Sequence, residues 1–209
     1  NQDDNIVFND NAFKSIINDS AFLNNKAIST AGSGIGYGVI VSGGGGVFSK
    51  GNLDINDSLF ANNTAISAMS EGMVDGGALY VSNNSNEGAV NRDINITNTM
   101  FMSNIAGDVI NEGDALLNTT AYGGAISASR VDMNISDSSF VNNIAQAASY
   151  DNGYTVLKGE AQGGAIYIDK FVTNPPYGIN IDNTSFVMNE AKAVDSQTLS
   201  TDDIDQSKA

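Results

Sequence analysis

One short motif recurs five times in this chain, and its recurrence dictates what the chain can fold into. Phe22-Leu-Asn-Asn25-Lys-Ala27 returns as Phe60-Ala-Asn-Asn63-Thr-Ala65, Phe101-Met-Ser-Asn104-Ile-Ala106, Phe140-Val-Asn-Asn143-Ile-Ala145 and Phe186-Val-Met-Asn189-Glu-Ala191. The copies are 38, 41, 39 and 46 residues apart. Each is preceded by an Ile and a polar bend: Ile17-Asn-Asp-Ser20, Ile55-Asn-Asp-Ser58, Ile96-Thr-Asn-Thr99, Ile135-Ser-Asp-Ser138 and Ile181-Asp-Asn-Thr184. Between them runs a second motif. Gly76-Gly77-Ala78-Leu79-Tyr80-Val81 is echoed by Gly123-Gly124-Ala125-Ile126-Ser127-Ala128 and Gly163-Gly164-Ala165-Ile166-Tyr167-Ile168, and more weakly by Gly45-Gly46-Val47-Phe48. Fixed self-similarity of this kind marks a repeat architecture.

The units are made of strands. Ile94-Asn95-Ile96 and Ile166-Tyr167-Ile168 alternate with period two, while Asp/Asn-Ser/Thr and Gly-Gly mark bends. No 3.6-residue stripe accompanies them, so helical repeats are excluded. Composition agrees, with 28 Asn and 22 Gly, and with 19 Asp against 5 Glu, a turn-rich rather than helical balance. The reading is all-β, a parallel β-helix in which identical positions of successive coils stack into ladders. With one turn per unit of about 20 residues, two to each repeat period, nine or ten coils are expected, about 45 Å long from the strand spacing. Phe22, Phe60, Phe101, Phe140 and Phe186 then form an inward aromatic column. Asn25, Asn63, Asn104, Asn143 and Asn189 form a corner ladder, tolerating αL and bonding the neighbouring coil. Gly76, Gly77, Gly123, Gly124, Gly163 and Gly164 make corners with positive φ. Leu79, Val81, Ile126, Ile166 and Ile168 face inward; Tyr80, Ser127 and Tyr167 face outward. Residues 1–14 read as an N-terminal strand or cap, 15–192 as the array and 193–209 as a polar, acidic tail. Segments 28–44, 66–75, 82–92, 107–121, 146–161 and 169–178 break the repeat and are the places where loops carry recognition.

These motifs resemble the repeats of chlamydial polymorphic membrane proteins, which are autotransporter adhesin passengers. They are also similar to adhesin-like surface proteins of bacteria and methanogenic archaea. The resemblance covers roughly residues 15 to 192. It implies a right-handed coil, secretion to the cell surface, and a role in adhesion or structure. Against the autotransporter pattern, no C-terminal translocator barrel is expected within these residues, as in a fragment or a chain with a different export route.

Several functions are excluded by residue content. With no Cys and no His, neither thiolate or imidazole metal sites nor Ser-His-Asp and Cys-His machinery can be built. A net charge of −15 argues against nucleic acid and anionic membranes, and no apolar run is long enough for a transmembrane helix. Most acids lie inside repeated bends, such as Asp19, Asp57 and Asp137. Arg92 and Arg130, beside Asp93 and Asp132, read as surface ion pairs rather than as a base for lyase chemistry. No enzyme activity and no cofactor are therefore expected. Calcium stays open only as an adventitious surface ligand, since no calcium-loop pattern is present. Gly43 to Gly46 lack the Lys-Ser/Thr of a phosphate loop. Eight Asn-x-Ser/Thr sequons, at Asn18, Asn56, Asn62, Asn83, Asn95, Asn118, Asn134 and Asn183, are candidate glycosylation sites. The chain begins at Asn1 without Met or a leader, as a mature secreted product or a piece of a longer protein would.

Open strand edges at the ends of a β-helix invite pairing. The expected partner is a second copy, stacked head to tail or exchanging a strand around Asn5 to Phe8, alongside a host or neighbouring-cell surface. The competing reading is a carbohydrate-binding or polysaccharide-degrading β-helix. That reading requires Asp and Tyr clustered in a groove outside the repeated positions, with Tyr37, Tyr80, Tyr122, Tyr150, Tyr154 and Tyr167 as candidates.

Overall fold

The computed structural model describes residues 6–8, 14–29, 41–67, 72–82, 92–107, 118–151, 156–157, 159–169 and 178–195. These residues form short strands arranged as a parallel β-solenoid, and none of them is helical. Each of the first four coils visits five sheets in the same order, and the fifth is described through the first four of them. Sheet S1 holds the strands after Gly-Gly: Ile6–Phe8, Val47–Ser49, Leu79–Ser82, Ile126–Ser129 and Ile166–Asp169. S2 holds Lys14–Asn18, Asn52–Asn56, Arg92–Thr97, Val131–Ser136 and Ile179–Asp182. S3 carries the Phe of each repeat in Ala21–Leu23, Leu59–Ala61, Met100–Met102, Ser139–Val141 and Ser185–Val187. S4 follows the ladder Asn, with Lys26–Ser29, Thr64–Ser67, Ile105–Ala106, Ile144–Asp151 and Glu190–Asp195. S5 closes the perimeter with Val41–Gly43, Gly72–Asp75, Asn118–Tyr122 and Glu160–Gln162. A further strand, Val156–Leu157, folds back antiparallel on Tyr150 and Asp151.

The coil is the whole repeat period, not half of it. Leu79 pairs with Ile126 and Ile126 with Ile166, while Phe60 pairs with Phe101 and Phe101 with Phe140; Gly-Gly units never pair with Phe units. The described residues thus make five coils instead of nine or ten, roughly 20 Å along the axis at the usual strand spacing. The reason is the perimeter. Each 20-residue unit supplies only part of the circuit, and S5 is built from the segments between the repeats. Residues 73–75 and 160–161, expected to break the repeat, lie in strands paired in register with their neighbours in S5. Ile6–Phe8 is likewise the first strand of S1, paired with Val47–Ser49 of its own chain.

The cross-section has two lobes. S1, S2 and S3 enclose Phe60, Phe101, Phe140, Leu53, Ile55, Ile94, Ile96, Met133 and Ile135, all fully buried. Each such side chain contributes about 1.5–3 kcal/mol by leaving water. S4 and S5 approach closely because their inner positions are small: Ala65, Val74 and Ala106, then Ala121, Ala145 and Ala147. Between the lobes lies a waist where the Gly-Gly corner touches the backbone after the ladder Asn. A Cβ on Gly77 would stand 2.5 Å from Ile105 N and 2.2 Å from Gly124 O; on Gly124 it would stand 2.4 Å from Ile144 N and 2.1 Å from Gly164 O. The first glycine of each pair has positive φ, 63° at Gly76, 65° at Gly123 and 64° at Gly163. The fourth copy is Gly44-Gly45, with φ 66° at Gly44, one residue earlier than the sequence suggests. Val47, not Phe48, is the residue that pairs with Leu79.

Gly124→Ala is expected to destabilise the protein by at least about 2–3 kcal/mol, because backbone on both sides must give way. Gly178→Ala, whose Cβ would meet only Asp132 Oδ1 at 3.5 Å, should change little. Urea midpoints of the two variants measure the difference.

Candidate functional site

Two inward ladders run the length of the solenoid. Ring centroids of Phe22, Phe60, Phe101, Phe140 and Phe186 stack at 4.7, 4.8, 4.8 and 5.0 Å, with planes within 11° of parallel. Beside them, each ladder Asn donates both its backbone N–H and its side-chain amide to the Oδ1 of the next: Asn25 to Asn63, Asn63 to Asn104, Asn104 to Asn143 and Asn143 to Asn189, at 2.9–3.1 Å. The second amide hydrogen satisfies the carbonyl of the Phe one coil back, as from Asn104 to Phe60 at 3.0 Å. The ladder Asn are not themselves left-handed. Positive φ falls one residue earlier, on Asn24, Asn62, Ser103, Asn142 and Met188. That placement lets the ladder side chain turn into the core, where Asn63, Asn104 and Asn143 are buried. The polar bends Asp19, Asp57, Asn98, Asp137 and Asn183 are left-handed as well.

The outer surface carries a different constellation where S5 turns into S1. Outward residues of these two sheets touch one another, so the surface there is concave. Tyr80 leans over Gly43, whose Cβ would meet its ring at 2.4 Å. Tyr167 stacks on Tyr122 at 4.3 Å, and Phe48 on Tyr80 at 5.1 Å with Lys50 Nζ 5.5 Å from its centroid. Between the two aromatic pairs, Ser127 Oγ donates to Asp75 Oδ1 at 2.7 Å. Ser127, expected to face solvent, is only 2% exposed, because the corner folds S5 and the neighbouring tyrosines over it; Asp75 is 5% exposed. Burial, above all, raises the Asp75 carboxyl to about 6, with Asp169 adding to the rise and Ser127 opposing it. Burial also raises the Tyr80, Tyr122 and Tyr167 hydroxyls, with the neighbouring carboxylates contributing. Tyr122 donates to Glu160 Oε1 at 3.2 Å.

Sequence reasoning named Tyr80, Tyr122 and Tyr167 but missed Asp75. The available signal was the residue just before each Gly-Gly, which reads Gly43, Asp75, Tyr122 and Gln162 while its neighbours repeat. Tyr37 and Tyr154 lie outside the described residues, as does the side chain of Tyr150.

Arg92 departs from its reading as a surface ion pair. It is 3% exposed and Asp93 is exposed, because successive strand residues point to opposite faces and Arg92 takes the inward one, in line with Val131. Its Nε and Nη1 have no hydrogen-bond acceptor. Among the described residues no three acidic side chains gather as a metal site would require. An open groove of about 490 Å³ follows the bends past Asp19, Asp57, Asn98 and Asp137. Along it Asn98 donates to Asp57 at 2.6 Å and Asn183 donates to Asp137.

The sequons are mostly engaged in outer ladders. Asn56 donates to Asn18 at 2.9 Å, Asn95 to Asp54 at 2.8 Å and Asn134 to Asn95 at 3.0 Å. A glycan on Asn56, Asn95, Asn134 or Asn183 would attach at the nitrogen that makes the ladder bond. Asn62 is exposed; Asn83 and the side chain of Asn118 lie outside the described residues. Comparison with family models, with curated proteins and with solved structures finds no match to this chain.

Asn104→Ala strands a buried carbonyl and two donors of Asn63. It should cost about 3 kcal/mol or more, whereas Asn134→Ala on the outer face should stay within about 0.5 kcal/mol. Denaturant titration of both variants checks the contrast.

Proposed function

We propose that this chain is a non-enzymatic structural and adhesive β-solenoid of the cell exterior, and that copies stack end to end along the solenoid axis. One observation carries the reading: core positions of the last coil are left uncovered. The last coil presents core positions to solvent, with Ile181 44% and Phe186 46% exposed, and Met188, at the outward bend beside them, is 79% exposed. They line a hollow of about 610 Å³ together with Ala165, Ile166, Ile168 and Asn189. The Asn-to-Asn donors all point from earlier to later coils. By that polarity Asn189 turns its backbone N–H and remaining amide hydrogen to the far end, and Asn25 turns its Oδ1 to the near one. A second copy, placed as a sixth coil, supplies the acceptor, the next ring of the Phe column and the missing strand partners. Such a contact is heterologous and propagates as a filament.

Electron microscopy over a concentration series should show rods one solenoid wide that lengthen with concentration, and Met188→Lys should shorten them. Monomers of wild type at every concentration would overturn the stacking.

A second reading, carbohydrate binding, is favoured by the concave corner, where Tyr80, Tyr122, Tyr167 and Asp75 meet with carboxylate acceptors beside aromatic rings. The chain has no Trp, so its emission comes from seven tyrosines, three of them in this corner. Titration with neutral oligosaccharides should quench that emission in wild type and not in Tyr167→Ala; an unchanged signal in both removes the reading.

A further inference from the structure

Asp75 is a buried acid with no structural need to be one. The other coils place Gly43, Tyr122 and Gln162 at the same position of S5, and the solenoid closes equally well around each. What distinguishes Asp75 is its setting. It ends the S5 strand just before the Gly76-Gly77 corner, and its side chain reaches along the axis to Ser127, on an S1 strand one layer beyond the strand that follows it. The pair therefore bridges two layers across the tightest turn of the coil. We propose that Asp75 and Ser127 form a proton-sensitive clasp, bonded in both states, which holds the corner without penalty when the carboxyl is neutral and strains it when the buried carboxyl is ionised.

Apart from the Ser127 hydroxyl, which favours the ionised form, the surroundings favour the neutral one. From S1 the clasp is faced by the rings of Tyr80 and Tyr167 and by the carboxylate of Asp169; from S5 it is faced by Tyr122 and, beyond it, Glu160. Both neighbouring charges are negative. Of the nearby cations, Lys50 sits over Phe48 at the far end of the aromatic row. Arg130 reaches Asp169 through a backbone N–H donating to its carbonyl at 3.2 Å. An ionised carboxylate here keeps one short hydroxyl bond, lies against aromatic rings and feels Asp169; a neutral one keeps the bond without the charge penalty.

The sign of the pH effect follows. With the folded value at about 6, above an ordinary 3.8, the folded chain holds a proton that the unfolded chain has released. The contribution to stability is full below the unfolded value and is lost as pH rises through about 6. Acidification from pH 8 to pH 5, still above the pI near 4.1, should raise the folding constant by about tenfold from this group alone.

The test compares urea unfolding of the full chain with Asp75→Asn and Ser127→Ala across that range. Asp75→Asn keeps the shape and the hydroxyl bond, so its stability relative to wild type should be greatest at pH 8 and shrink by about tenfold in equilibrium constant by pH 5. Ser127→Ala removes the hydrogen bond that opposes the rise, so its transition should move to higher pH, an effect that packing alone does not produce. A difference between wild type and Asp75→Asn that stays constant from pH 8 to pH 5 would overturn the clasp, and so would a Ser127→Ala profile superimposable on wild type.

Discussion

The waist is the constraint on which the rest of this solenoid depends. Gly77, Gly124 and Gly164 lie against the backbone of Ile105, Ile144 and Glu190, closer than any Cβ allows. That contact joins the two repeated motifs physically. It explains why Gly-Gly and Phe-x-x-Asn alternate along the chain: they are opposite walls of one constriction. Above the constriction S1, S2 and S3 have room for Phe, Ile, Leu and Met. Below it S4 and S5 have room for little more than Ala. The concave outer corner at Asp75 and the tyrosines is the same pinch seen from outside, so the core and the candidate site share one cause.

The constriction also decides which groups must be polar inside. Where two corners meet, backbone carbonyls cannot all find strand partners, and the ladder Asn answers each with an amide hydrogen, as Asn143 does for Phe101 at 3.0 Å. An apolar residue of similar size would leave that carbonyl stranded. The Phe column beside it is the apolar counterpart. Its spacing is set by the coil rise, since parallel strands fix the distance between equivalent side chains.

Much of this was legible in the residues, for a physical reason. Stacking makes equivalent positions share an environment, so Phe101, Asn104 and Gly123 recur as identities and name their own neighbours. The coil count was not legible, because two interleaved motifs with one common period look like two short coils until pairing shows which stacks on which. S5 was hidden because its outward positions face different surroundings in each coil, giving Gly43, Asp75, Tyr122 and Gln162, and its inward ones need only be small. Arg92 was misread because charge suggests the surface, whereas strand phase alone assigned it inward. For the same reason the tyrosines of the concave corner could be named one by one but not placed together.

The Asn ladder has a direction. Every side-chain amide in it is oriented the same way, its oxygen accepting from the preceding coil and one amide hydrogen donating to the next, so the individual dipoles add instead of cancelling, as peptide dipoles do along a helix. Hydrogen bonds in such a series polarise one another, each strengthening the next. The solenoid is therefore an electrically oriented rod, with partial negative charge at one end and partial positive charge at the other. Anything built by joining such rods inherits a polarity that distinguishes its two tips.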